Sequence, residues 1–255
     1  MTEICIVFVC NKQYFNKFIN TCNELIQVGK YNGNICLVIG DDLKNEDLSN
    51  TNNFIKNNNI IVKYFPDISF PEYFYKINNF VRTDGRNKTK KFQWHKLHLF
   101  NIYFKQWNYI FYIDCGMTIF SDIQPIIDTK KPNKLLAHSD SYPDYQRKLY
   151  TQFDKYLTNY YNKLNSSYNL NIDYFQSTIL LYDTTIIENE TFENLYNLSM
   201  KYPISNTNEQ GIMALYFTNI KSVWEQIPVK NDKTFFYDYL SRNNNYKYIM
   251  LKMLL

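Results

Sequence analysis

The residues of this chain that could do chemistry sit where its apolar runs stop. Residues 109–113 read Tyr-Ile-Phe-Tyr-Ile, a run suited to a central strand buried on both faces of an α/β sheet, and Asp114 ends it. Ligands of open α/β sheets lie beyond the carboxyl ends of the strands, so Asp114 points at a site; Cys115 follows, and Gly116 lets the backbone turn sharply. A turn-initiating Asp is the structural alternative. Asp41 and Asp42 follow a second apolar run, residues 35–39, where doubly wound folds hold a ribose or base and where a helix N-cap is equally at home. His138 follows Leu135-Leu136-Ala137 at another strand end, as a cleft residue or a buried, hydrogen-bonded one, and Asp140 and Asp144 lie on the loop after it. Gln176 precedes the apolar residues 178–181, either projecting from the strand or capping it. Glu209-Gln210 is a further polar pair, although Thr207-Asn208-Glu209 also reads as a capped helix start. His95 and His98, three apart, could clamp a metal only with further ligands, and aromatic-rich helices also carry His as core.

Positioning these groups requires a particular order of elements. Residues 4–9 predict a first buried strand, and Phe15, Phe18, Ile19, Cys22, Leu25 and Ile26 recur at helical spacing after it. A second strand at 35–39, a helix over 45–56 and a third strand at 60–65 complete the strand-helix alternation of a parallel sheet with crossover helices. A helix over 92–107 turns Trp94, Leu97, Phe100 and Phe104 inward, and a helical pattern over 145–170 suggests a lid or an edge-packing segment. The first strand runs into Cys10-Asn11-Lys12 without a GxGxxG turn, which disfavours a nicotinamide enzyme.

The 255 residues suit one large domain, with 6 Gly and 7 Pro falling between periodic segments and no Pro/Gly/Ser-rich linker. The net charge of +4 is mild and spread along the chain except for Arg82, Arg86, Lys88, Lys90 and Lys91, a local cluster that reads as a solvated loop or as a site for an anion, not as the sustained basic face of a nucleic-acid binder. The start lacks a basic leader and a long apolar core, and no run approaches a membrane span. Five cysteines without CxxC spacing, three of them in or beside apolar runs, predict reduced and mostly buried thiols in a cytoplasmic protein.

Taken in order, Lys96 in KFQWHKLHLF, then YIDCG and MTIFSDI, resemble the central portion of the GT-A glycosyltransferases, particularly glycosyltransferase family 8. LLAHSD, DYFQSTILLYD and NEQGIMALYF resemble the next strand, the aromatic-Asn-small strand and the Asp-Gln helix of that family, over about residues 4–228. The phrases IDCGM, AHSDSYPDY, QSTILLYDT and EQGIM also look like a divergent GT-A-like group of unassigned activity. The resemblance implies a three-layer α/β/α GT-A (Rossmann-like) domain over residues 1–255, with a central, mostly parallel sheet.

It also implies transfer of a hexose from a nucleotide sugar, a UDP-sugar favoured, to a hydroxyl of a glycan or protein acceptor. On this carry-over Asn11, Asp41, Lys96, Asp114, Cys115 and Gly116 surround the donor, His138 and Asp140 meet the acceptor, and Gln176, Glu209 and Gln210 do the chemistry beneath the sugar. The diphosphate leaving group needs positive charge as the anomeric bond breaks, from Mn²⁺ or Mg²⁺ on Asp114, from basic side chains, or from both. Gly116 stands where the family has its second Asp, and the family's C-terminal Gly-x-x-Lys-Pro-Trp segment with its His is missing. Asp122, Asp140 and His138 could supply the lost ligand, and Lys96 with the basic loop could replace the metal's charge. A nucleotidyltransferase shares the fold class but should carry a Gly-rich, Arg-containing loop after the first strand. A GT-A-like module that binds a nucleotide or glycan, or serves assembly without turnover, is the other reading.

Overall fold

The computed structural model describes residues 3–78, 91–142, 145–228, 237–238 and 249–252. Seven strands form the main sheet: β1 (Ile4–Cys10), β2 (Asn34–Ile39), β3 (Ile61–Tyr64), β4 (Tyr109–Ile113), β6 (Leu135–Ala137), β7 (Ile179–Asp183) and β8 (Trp224–Gln226), in the order β3-β2-β1-β4-β7-β6-β8. Short β5 (Met117–Ile119) leaves it to pair with β10 (Met250–Lys252), which pairs in turn with β9 (Tyr237–Asp238). The pairs β3-β2, β2-β1, β1-β4 and β6-β8 are parallel, whereas β7 runs antiparallel to both β4 and β6. The sheet is therefore mixed but mostly parallel, the α/β architecture expected.

Strand alternation sorts the core into two layers. Cys5, Val7, Val9, Cys36, Val38, Ile110, Tyr112, Leu180 and Tyr182 face one layer, and Ile6, Phe8, Cys10, Leu37, Ile39, Phe111, Ile113, Ile179 and Leu181 face the other. Both are covered, so the central strands read as continuous apolar runs. The helix Phe15–Gln27 covers the second layer with Phe18, Cys22 and Leu25, on the face that its periodicity predicted. Residues 91–106 and the helices Thr191–Lys201 and Glu209–Leu215 cover the first. All five cysteines are buried free thiols. Among the described residues no helix is long and apolar enough to cross a membrane.

Three expected helices differ in form. The segment expected over 92–107 is a 3-10 helix, Lys91–Phe100, followed by a second one, Ile102–Gln106. Trp94, Leu97 and Phe100 recur every third residue, the period at which side chains of a 3-10 helix eclipse, so the tighter coil stacks all three into the core. Asn101 separates the two turns and accepts the Tyr103 N–H at 2.9 Å. Residues 45–56 form two short helices, Leu48–Thr51 and Asn53–Asn57, because Asn52 is extended and caps the second by accepting the Ile55 N–H. Over 145–170 the structure holds a 3-10 turn, Leu149–Gln152, and a helix, Thr158–Ser167.

Phe111 is fully buried on the central strand. Phe111→Ala should cost about 3–5 kcal/mol, read from urea unfolding; a cost below about 1 kcal/mol would deny β4 its place at the centre of the core.

Candidate active site

The antiparallel course of β7 assembles the site. Ile113 pairs with Ile179 and the Asp114 N–H donates to the Thr178 carbonyl at 3.0 Å, so the residues entering β7 lie beside the carboxyl end of β4. The Glu209–Leu215 helix starts over the same edge, and its Glu209 Oε1 accepts the Ser177 hydroxyl at 3.0 Å. Lys96 enters from the 3-10 helix, with its ammonium 3.4 Å from Asp114 Oδ1 and 3.3 Å from Glu209 Oε1. Asp114 Oδ1 also accepts the Tyr112 hydroxyl at 2.7 Å, and the Lys96 ammonium lies 5.6 Å from the centre of that ring.

Burial sets the electrostatics of this triad. Withdrawal from water would lower the Lys96 pKa, but Asp114 and then Glu209 outweigh it and hold the amine above its ordinary range, so it stays an ammonium. Burial pushes the Glu209 carboxyl upward, and Lys96 offsets this only in part. Glu209 is 3% exposed, and its second oxygen, Oε2, has no hydrogen-bond partner among the described residues. A buried polar atom of this kind is a costly feature in a core and an available acceptor in a site. Burial, followed by the Asp114 charge, raises the Tyr112 phenol well above its ordinary value and keeps it a donor.

Two further networks adjoin the triad. Gln176 Nε2 donates to Asp140 Oδ1 at 2.8 Å, while Asp140 Oδ2 accepts from the Tyr174 hydroxyl at 2.5 Å and from Arg147 at 3.4 Å. The Gln176 N–H bonds the His138 carbonyl at 2.9 Å, and the buried His138 ring contacts its neighbour's carbonyl through Nδ1, 2.7 Å from Ser139 O. Gln210 Oε1 accepts the Ser177 N–H at 3.1 Å, and its Nε2 donates to Gln152 Oε1 at 3.0 Å. Ahead of Glu209, Asn208 has φ 53° and ψ −124°, a backbone region in which side chains are strained by about 1–3 kcal/mol. Ser205 donates to its carbonyl at 2.6 Å, and its amide donates to Gln93 Oε1.

Other expected site residues stand apart from the triad. Asn11 caps the turn Lys12–Tyr14 by accepting the Tyr14 N–H at 3.1 Å. Exposed Asp41 accepts the Tyr64 hydroxyl at 2.7 Å and faces Lys44 at 3.4 Å, contacts that hold its pKa below the usual carboxylate range, Tyr64 contributing most. Asp42 accepts the Lys12 N–H. The buried Cys115 thiol lies 3.4 Å from the Val9 carbonyl, and Gly116 turns at φ 82° with its N–H bonded to Thr21 Oγ1. Arg82, Arg86, Lys88, Lys90 and Asp144 lie outside the described residues.

Among the described residues no three or more His, Cys, Asp or Glu side chains converge on a point that could hold a metal ion. Lys96 faces Asp114, exposed Asp122 accepts the Gln124 N–H, and Asp140 accepts from Tyr174 and Gln176. His95 and His98 do not form a metal clamp. Their Nε2 atoms contact the Ile39 and Pro66 carbonyls at 3.2 and 3.1 Å, and their rings stack on Phe92, Phe65 and Phe192 as core.

Sequence reasoning missed Ser177, Tyr112, Tyr174 and Gln152. Ser177 adjoins the singled-out Gln176 and could have been found from it, whereas Tyr112 is indistinguishable in sequence from any other buried strand residue.

No family model matches the chain, and no curated protein matches it by sequence. Solved structures do. The galactosyltransferase LgtC in complex with donor and acceptor sugar analogues superposes with a TM-score of 0.58 at 14% identity, covering 91% of this chain and 75% of that one. An active-site mutant of LgtC gives 0.62 at 11% identity, over 97% and 86%. Mouse xyloside xylosyltransferase 1 gives 0.54 at 10% identity, over 99% and 97%. The chain has a GT-A-like glycosyltransferase fold.

Lys96→Met would strand two carboxylates without their cation and should cost about 3–5 kcal/mol in urea unfolding at pH 7, with part of the loss recovered in Lys96→Met/Glu209→Gln. A single-variant cost below about 1 kcal/mol would show that the ammonium does not hold the site together. A second expectation concerns acid. Burial lowers His95 to about 4, and burial followed by the neighbouring His95 lowers His98 to about 3, against an ordinary 6.5. The unfolded chain therefore takes up protons that the folded chain refuses. Stability contributed by the pair is complete above pH 6.5 and falls toward pH 3, by about 2 kcal/mol per histidine at pH 5. Unfolding between pH 7.5 and 5 should show this slope and a shallower one in His98→Phe; equal slopes would place the acid sensitivity elsewhere.

Proposed function

We propose that this protein transfers a hexose from a nucleotide sugar, a UDP-sugar in the first instance, to a hydroxyl of a glycan or protein. The observation that carries the reading is the Lys96-Asp114-Glu209 triad, with Glu209 buried and the other two partly buried, at the carboxyl end of β4 in a GT-A-like fold. Structures similar to this chain in fold are named as galactosyl- and xylosyltransferases, one of them in complex with donor and acceptor sugar analogues.

In this proposal each group has a task set by its surroundings. The Lys96 ammonium faces the donor's diphosphate and stabilises the negative charge that develops as the anomeric bond breaks. Among the described residues it faces two carboxylates, and in this reading the basic stretch 82–91 adds positive charge; of that stretch Lys91 is described, 4.7 Å from the centre of the Tyr75 ring. Asp114, oriented by Tyr112, holds the donor. Glu209, whose Oε2 has no partner among the described residues, stabilises the positive character of the anomeric carbon, and Gln210 lies beside it beneath the sugar. Asp140 and His138 line the acceptor side. No step in this reading is routed through a metal; among the described residues no three His, Cys, Asp or Glu side chains gather as a metal site. Retention of anomeric configuration follows from the family resemblance alone.

Gly116 in place of a second carboxylate favours one other reading, a module of this fold that binds nucleotide or glycan without turnover.

A thermal-shift screen against UDP-, GDP-, CMP- and dTDP-sugars, each with and without Mn²⁺, tests the proposal. One nucleotide class should stabilise the protein by about 2.7 kcal/mol at a hundredfold excess over Kd, and Asp114→Asn should abolish the effect. Release of free nucleotide from that donor then separates transferase from binder. No shift with any nucleotide, with or without Mn²⁺, would refute the transferase reading.

A further inference from the structure

Gln152 lies outside every motif that carries the family resemblance, yet the site closes on it. It ends the 3-10 turn Leu149–Gln152 and is 4% exposed. The turn is fastened on both sides. The Leu149 and Tyr150 N–H groups donate to Ile172 and Leu170, the Gln152 carbonyl accepts the Asn206 N–H at 2.7 Å, and Phe153 bridges Ser205. It also abuts the Glu209–Leu215 helix so closely that a Cβ on Gly211 would come within 2.5 Å of Ser205 Oγ and 3.3 Å of the Gln152 carbonyl.

The direction of each amide in this network is dictated by its partners. The backbone N–H of Ser177 can only donate, so Gln210 turns its oxygen to it, at 3.1 Å, and its NH₂ away. That NH₂ needs an acceptor, which fixes Gln152 with Oε1 toward Gln210, at 3.0 Å. The Thr207 hydroxyl donates to the same oxygen at 2.6 Å. Gln152 is therefore the acceptor at which two donors from the segment carrying Glu209 and Gln210 converge.

We propose that Gln152 is a positioning residue for glycosyl transfer, holding the Gln210 amide oriented beneath the sugar; the role rests on the transferase reading above. Without this acceptor Gln210 keeps only the Ser177 N–H on its oxygen, its NH₂ loses its partner, and the amide plane is free to tilt about that single anchor. Misplacement of a reacting group by about 1 Å can cost 100-fold in turnover while leaving substrate binding nearly intact.

The experiment compares Gln152→Met, which keeps length but removes the acceptor, with Gln152→Glu, which keeps an acceptor oxygen in place, using the nucleotide sugar selected by the thermal-shift screen. Gln152→Met should lower kcat on the order of 10- to 100-fold with donor KM changed less than about threefold, and Gln152→Glu should recover most of the lost turnover. If Gln152→Met does not fold, Gln152→Asn, which withdraws the amide by one methylene, should give the same split between kcat and KM. An active wild type with kcat unchanged in these variants, or equal losses in all of them, overturns the positioning role alone. A wild type inactive on every donor removes the transferase reading and this role with it.

Discussion

A single ammonium group joins three separate parts of the chain. Lys96 comes from a 3-10 helix, Asp114 from the end of the central strand and Glu209 from the start of a late helix, and the cation lies 3.3 to 3.4 Å from a carboxylate oxygen of each of the other two. Each charge alone would be expensive to bury, and together they are tolerable only while all three stay in register. That mutual dependence constrains the surrounding architecture: the phenol of Tyr112 steadies one carboxylate, the hydroxyl of Ser177 the other, and a strained Asn208 delivers Glu209 to its place. One of the four carboxylate oxygens, Glu209 Oε2, is left without a partner among the described residues.

The fold was largely legible because its information is periodic. The continuous apolar runs of β1, β2 and β4 and the helical recurrence of Phe15, Phe18, Ile19, Cys22, Leu25 and Ile26 report burial directly: the structure buries the runs together with Phe18, Cys22 and Leu25, and packs Phe15, Ile19 and Ile26, partly buried, against the same core. Helix type was less legible. Trp94, Leu97 and Phe100 fit an α-helical stripe and a 3-10 column equally well over so short a span, and packing chose the latter. Site residues at strand ends were legible as positions, since Asp114, His138 and Gln176 stand where apolar runs start or stop. Their partners were not, because a hydrogen bond such as Gln176 to Asp140 joins residues whose proximity depends on the antiparallel insertion of β7.

Asn11 and Asp41 illustrate the opposite case. Both occupy strand ends on the favoured edge of the sheet, yet their polar atoms are occupied by local structure, a turn cap in one and a Tyr64 and Lys44 pair in the other. Position relative to a sheet marks where a ligand can bind. Glu209 differs from both in being buried, with Oε2 lacking a hydrogen-bond partner among the described residues.

The three-residue period of the Lys91–Phe100 helix bears on how this sequence can change over generations. Each residue of such a helix turns the next by about 120°, so the column of Trp94, Leu97 and Phe100 and the side chain of Lys96 occupy separate sectors. Replacing one apolar residue by another preserves that partition. Adding or deleting a single residue between Trp94 and Leu97 would break that column or turn the ammonium by about 120° relative to it. This stretch is therefore free to drift in composition but not in length, and related chains that keep the site should differ here by substitution alone.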